Sequence, residues 1–243
     1  MRGRLLVCFV VLMATQVRAD EVLVAVAANY AGAFEVVSDA FTDATGHQVV
    51  VTTGATGKLF AQISQGAPFD VMLAADEAVP ARIEAEGLGV AGSRFTYAIG
   101  GLSLWSADVG RALDDPKAAL AAADVMFVAI ANPELAPYGV AAREAMQAMG
   151  VWEAVQPKIV MGENVGQTFA MVQTGAAQIG FVATSAVVGQ VRWDVPQEMF
   201  TPIRQQAVLL NAGAENAAAV ALMAFLRTDA ARAIAGAHGY GTE

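Results

Sequence analysis

Val22-Leu23-Val24-Ala25-Val26-Ala27, then Asn29, then Phe34, Val37 and Phe41: this opening decides the fold class. Six apolar residues without alternation read as a strand buried on both faces, as in a parallel sheet. Phe34, Val37 and Phe41 recur at helical spacing. Thr45-Gly46-His47 closes that helix, and Val49-Val50-Val51 is the next strand. The cycle repeats. Gly54-Ala55-Thr56-Gly57 turns, Leu59 and Ile63 mark a helix face, Gly66 stops it, and Pro68 and Asp70 introduce Val71-Met72-Leu73-Ala74. Strand, turn and helix in alternation imply right-handed βαβ units around a mostly parallel sheet.

Further out, two extended runs break the rhythm, at 95–105 and at Ala207-Val208-Leu209-Leu210. A second alternation lies between them, with strands over 125–130, 159–160 and 179–182 and helices over 140–149 and 168–174. A last helix is expected over 216–235. A chain that leaves one α/β lobe, builds another and returns forms two lobes joined by two crossing strands, with a cleft between them suited to a small ligand. The expected division is 20–97 with 206–243 for the first lobe and 98–205 for the second. The hinge is expected in the two extended runs, since no Pro- or Ser-rich linker is present. No internal repeat of 20–50 residues is found.

Composition narrows the function classes. The 243 residues are 56% hydrophobic and only 15% charged, with a formal net charge of −9. Without a basic stripe, nucleic acid is not an expected partner. The mean hydropathy is positive, but only the first stretch accounts for a membrane signal. Arg2 and Arg4 precede the apolar run Leu5 to Ala14, and Val17-Arg18-Ala19 ends it, so 1–19 read as a cleaved signal peptide rather than a span. Its loss takes the only cysteine, Cys8, and leaves 11 basic residues against 23 acidic ones, a charge of −12. The expectation is an exported periplasmic monomer that is not membrane-embedded and needs no disulfide.

Catalytic motifs are absent: no G-x-S-x-G, H-E-x-x-H, P-loop or G-x-G-x-x-G follows a strand. His47 and His238 each neighbour a glycine and read as solvated loop residues. Asp70 and Asp76 resemble an acid/base pair, but acidic residues at strand ends more often cap the next helix. The chemistry gathers instead at four turns that precede helices. These are Ala27-Ala28-Asn29-Tyr30, Gly54-Ala55-Thr56-Gly57-Lys58, the segment 132–139 with Ala136-Pro137-Tyr138-Gly139, and Glu163-Asn164-Val165-Gly166-Gln167. Each offers backbone N–H groups and a short neutral donor. Helix N-termini carry orphan donors and partial positive charge, so several converging turns make an anion site without a cation. Taken singly, each turn is also an ordinary helix cap.

At these residues the chain resembles the periplasmic molybdate-binding proteins of ABC transporters, over essentially all of 20–243. The carrying segments are Gly54-Ala55-Thr56-Gly57-Lys58-Leu59, Gly66-Ala67-Pro68-Phe69-Asp70-Val71, Ala74-Ala75-Asp76, the stretch from Gly92 to Gly100, Ala136-Pro137-Tyr138-Gly139 and Asn164-Val165-Gly166-Gln167. The resemblance implies a type II periplasmic-binding fold closing over a tetrahedral dianion. It implies Ala28, Asn29 and Thr56 as ligand-binding residues of the first lobe and Tyr138 and Val165 of the second, the last two through backbone N–H. Ala28 stands where relatives place a hydroxyl, and 181–184 lacks a tyrosine that other relatives use. Tyr30 reads as a packing residue.

The expected function is therefore that of a solute receptor, not an enzyme. It takes molybdate or tungstate as ligand, needs no cofactor, has no catalytic residue and no direct metal ligand, and hands its cargo to an ABC permease and its ATPase. Phosphate keeps a proton near neutral pH and needs an acceptor, which these turns do not supply; Glu134 and Glu163 are expected to point away. Sulfate differs from molybdate in size alone, so a sulfate receptor is the alternative. A ferric-iron receptor would want clustered Tyr, His and carboxylates, and the tyrosines are scattered along the chain. A hydrolase using Asp70 and Asp76 is the alternative from another class.

Overall fold

The computed structural model describes residues 20–242; residues 1–19, which read as a signal peptide in the sequence, lie outside the described residues. The chain runs β1 (Glu21–Ala27), α1 (Ala31–Thr45), β2 (Gln48–Gly54), α2 (Thr56–Ser64), β3 (Val71–Leu73), α3 (Ala78–Ala85) and β4 (Phe95–Gly100). It continues with β5 (Leu102–Trp105), α4 (Pro116–Ala121), β6 (Val128–Ala131), α5 (Pro137–Ala148), α6 (Trp152–Val155), β7 (Ile159–Gly162), α7 (Val165–Gln173), β8 (Ile179–Ala183) and β9 (Arg192–Asp194). β10 (Ile203–Leu209), α8 (Ala217–Phe225) and α9 (Asp229–Ala237) complete it.

Two five-stranded sheets result, in the orders β2-β1-β3-β10-β4 and β7-β6-β8-β5-β9. β1 runs parallel to β2 and β3, and β6 runs parallel to β7 and β8. The strands that return from the other lobe, β10 and β5, pair antiparallel with their neighbours. β1 is buried almost throughout, as its unbroken apolar run requires. Phe34, Val37 and Phe41 of α1 are fully buried against it; removing one such ring costs about 3–5 kcal/mol. Gly46 ends α1 at φ 77°, donating its N–H to Thr42 O, a left-handed position that glycine occupies without strain.

The crossings differ from those read along the chain. The run 95–105 is two strands in two sheets, separated by Gly101 alone. Ala207, Val208 and Leu209 are not a crossing: they pair with Leu73, Met72 and Val71 inside the first sheet. The return lies instead between Asp194 and Ile203. A strand buried on both faces and a buried crossing have the same apolar composition, so sequence could not separate them. The boundaries at 97/98 and 205/206 accordingly fall inside β4 and β10. The expected single C-terminal helix is also two, because Thr228 accepts from Ala231 N–H and starts α9 afresh.

Candidate functional site

All four turns place their residues at the ends of strands facing the space between the sheets. α2, α5 and α7 begin at Thr56, Pro137 and Val165, earlier than apolar periodicity alone indicates. Residues that read as turn are thus the first helical residues, whose N–H groups have no partner in their own helix. A short 3-10 turn, Ala28–Tyr30, does the same ahead of α1. Ala28, Asn29, Thr56, Tyr138 and Val165 line one small cavity between the lobes, together with backbone from Gly54, Ala55, Ala136 and Asn164.

No charged side chain lines this cavity. The space open to the centre of a water-sized sphere is only ≈ 10 Å³, and the lobes touch on either side of it. Gly57 N–H donates to Leu135 O at 3.0 Å, and Lys58 Nζ pairs with Glu163 Oε1 at 2.8 Å. On the other flank Tyr240 OH donates to Ser185 Oγ at 2.9 Å. Glu163 is thereby turned to the surface, and Glu134 is not among the lining residues. A wider pocket of ≈ 260 Å³ shares Ala28, Asn29 and Val165 and reaches out past Phe169 and His238.

The five residues contribute differently. Thr56 is 1% exposed, and its Oγ1 accepts from Ala75 N–H at 3.0 Å, which leaves the hydroxyl proton to donate. Asn29 Nδ2 donates to Gln205 Oε1 at 2.7 Å and to Tyr240 OH at 3.3 Å, so both side-chain protons are engaged within the protein. The Asn29 amide is thus held by Gln205 and Tyr240 at the edge of the cavity. Tyr138 is the second residue of α5 after Pro137, and Val165 the first of α7. Ala28 offers only its methyl and backbone.

The tyrosines that look scattered in sequence come together in space. Tyr30 stacks edge-on against Tyr97 and Tyr240, with centroids 4.7 and 5.0 Å away. Burial holds these phenols protonated, Tyr240 pushed up to about 12 and Tyr97 and Tyr138 well above the ordinary range. They form a neutral hydrogen-bonding cluster, unsuited to ligate a hard cation as phenolates. Gln205, Tyr97 and Ser185 of this cluster escaped the sequence reading; the only signal was the polar pair Gln205-Gln206 inside an apolar strand.

Asp70 and Asp76 do not meet. Asp70 Oδ2 accepts from Leu23 N–H at 2.7 Å and Asn216 Nδ2 at 3.2 Å, a structural tie at the opposite end of β1. Asp76 Oδ1 accepts from Val79 N–H at 2.9 Å and lies in a separate groove, where burial raises its pKa. His47 is not solvated: it is buried, accepts from Asp20 N–H at 3.2 Å and stacks on Phe41. Among the described residues no group of three or more His, Cys, Asp or Glu is placed to hold a metal ion, and no helix is long and apolar enough to cross a membrane.

The family of bacterial extracellular solute-binding proteins matches residues 22–241. The molybdate-binding protein ModA of Rhodobacter capsulatus is 47% identical over 95% of this chain and 92% of its own. ModA of Azotobacter vinelandii is 44% identical over 96% and 94%. The solved periplasmic molybdate-binding protein of Azotobacter vinelandii superposes with a TM-score of 0.87 at 37% identity, covering 91% of this chain and 99% of that one. A sulfate-binding protein of Mycobacterium tuberculosis shares the fold at TM-score 0.73 and 15% identity.

Proposed function

This chain belongs to the bacterial extracellular solute-binding protein family, and from that membership and the geometry of its cleft we propose that it is a molybdate receptor. The observation that carries the reading is the convergence of helix starts from both lobes on one cavity that no charged side chain lines. A fully deprotonated dianion needs only donors, and orphan N–H groups with the Thr56 hydroxyl supply them. A protonated oxyanion such as phosphate would also need an acceptor, and no carboxylate faces the cavity. Donors fixed on helix ends of both lobes favour closure around the ligand, with Gly101 and the 195–202 segment as the flexing points. In this reading tungstate is a second ligand. The protein acts in the periplasm as a monomer, performs no chemistry, and delivers its cargo to an ABC permease driven by its ATPase.

Calorimetric titration of residues 20–243 with molybdate, tungstate, sulfate and phosphate tests this. Molybdate and tungstate should bind far more tightly than the other two. Ligand at about 100 times its Kd stabilises by about 2.7 kcal/mol, which raises the Tm of a chain this size by roughly 5–10 °C. Tight binding of sulfate with weak binding of molybdate would make the protein a sulfate receptor instead.

A further inference from the structure

At the point where β4 leaves the first sheet and β10 re-enters it, a polar group is sealed inside the protein. Gln205 is 0% exposed and sits at a register shift in the pairing of β10 with β4. Its Oε1 accepts from Asn29 Nδ2 at 2.7 Å and from Tyr97 OH at 3.0 Å, both in the first lobe. Its Nε2 is buried with no hydrogen-bond partner among the described residues, and the hydroxyl of Tyr138, in the second lobe, is buried beside it with the Asn29 amide as a polar neighbour. The two atoms face the same small space. A Cβ built on Gly100 would clash with the Tyr138 hydroxyl and come within 2.9 Å of Gln205 Nε2. Gly100 is there because no side chain fits between them. Unsatisfied buried polar atoms are costly, and these two are complementary, since the amide donates where the phenol oxygen accepts.

We propose that Gln205 is a positioning residue: by holding the Asn29 amide and packing its own amide beside the Tyr138 hydroxyl, it ties Asn29 of the first lobe to Tyr138 of the second. The tie sets the spacing of their backbone N–H donors to a tetrahedral oxyanion. Asn29 and Tyr138 both line the cavity, and the side chains of both lie against Gln205. The amide thus acts behind the ligand and touches none of it. Because the tie spans the crossing, it bears on ligand size, the property that distinguishes molybdate from sulfate. This inference rests on the oxyanion reading above.

Gln205→Met, which keeps the length of the side chain, Tyr138→Phe, which removes one atom, and the double variant are titrated with molybdate and sulfate and melted without ligand. Each single variant should weaken molybdate about tenfold, the effect of one hydrogen-bond tie, and narrow the ratio of molybdate to sulfate affinity. The double variant should lose no more than the worse single one, because both remove the same tie. Unchanged affinity and selectivity in a folded Tyr138→Phe, or losses that multiply in the double variant, would overturn the proposal even if Gln205→Met failed to fold. If the wild type bound neither anion, the receptor reading would fall with the positioning role. The ligand-free melting shifts would then report separately on the tie: non-additive shifts would keep it as a link between lobes, and additive ones would remove it.

Discussion

Three helix starts at the cleft and three away from it are built differently, although the one-turn helix α6 also opens uncapped, on Val151, outside the cavity. α4, α8 and α9, away from the cavity, open on Asp115, Asn216 and Thr228, and each of these side chains accepts a hydrogen bond from a first-turn N–H. α2 and α5 open on Ala55 and Ala136, and the turn before α1 on Ala27; none supplies a capping side chain. α7 stands between the two kinds, with Asn164 Oδ1 accepting from Gln167 N–H at 2.9 Å while Val165 lines the cavity. A missing cap costs about 1 kcal/mol, so leaving it out at three buried positions in one place is a cost that a ligand offsets. In the proposed site, the donors that a cap would have satisfied are left for an anion.

The comparison is broken most forcefully by giving a cleft helix what the others have. Ala55→Asp places a cap and a negative charge at the start of α2, and molybdate affinity should fall by at least a hundredfold in titration. Affinity within a few-fold of wild type would mean that α2 is not part of the site. Thr56→Val removes a hydroxyl that donates to a charged group, worth about 1.5–3 kcal/mol, and should weaken binding ten- to a hundredfold. It also strips Ala75 N–H of its acceptor, so a fall in Tm without ligand accompanies the loss.

Asp115→Ala, at a capped helix far from the cavity, should do the reverse. Stability falls by about 1 kcal/mol, seen as a Tm lower by roughly 2–4 °C, while affinity holds. A loss of affinity there would dissolve the distinction between the two kinds of helix start.

The smallest effect on binding is expected from Asp76→Asn, since that carboxylate faces a separate groove and retains its Val79 contact as an amide. Its signature lies in pH instead. Burial raises the Asp76 pKa above the ordinary carboxylate range, so the folded protein holds this proton more tightly than the unfolded chain does. Ionisation therefore costs stability above the raised pKa, a cost absent below the ordinary carboxylate range. Thermal melts should show Asp76→Asn gaining on wild type as pH rises through the raised pKa. An advantage that is constant from acid to neutral pH would place the carboxylate outside the buried groove.

Much of the architecture was legible because its causes are local. Val22 to Ala27 has no polar face to show water, so it must be an interior strand, and Phe34, Val37 and Phe41 give α1 a single buried stripe. The neutral donors at four strand ends were visible in the same way, being short polar residues before apolar periodicity. The division of labour within the site was not. The Asn29 amide is engaged by Gln205, 176 residues away in the chain, a partner no local pattern reveals. Likewise Ala207 to Leu209 has the same apolar character whether it crosses between lobes or fills the first sheet; only its pairing with β3 places it there.

By itself, then, the sequence determined a two-lobed α/β chain and the turns that carry neutral donors. These follow from hydrophobic periodicity and residue type, which act over a few neighbouring positions. Tertiary structure decided which partners hold the Asn29 amide, where the chain crosses between lobes, and that tyrosines from distant segments meet around one buried glutamine. Those outcomes depend on contacts between segments far apart in the chain, where a buried polar atom takes whichever partner the packing brings within reach.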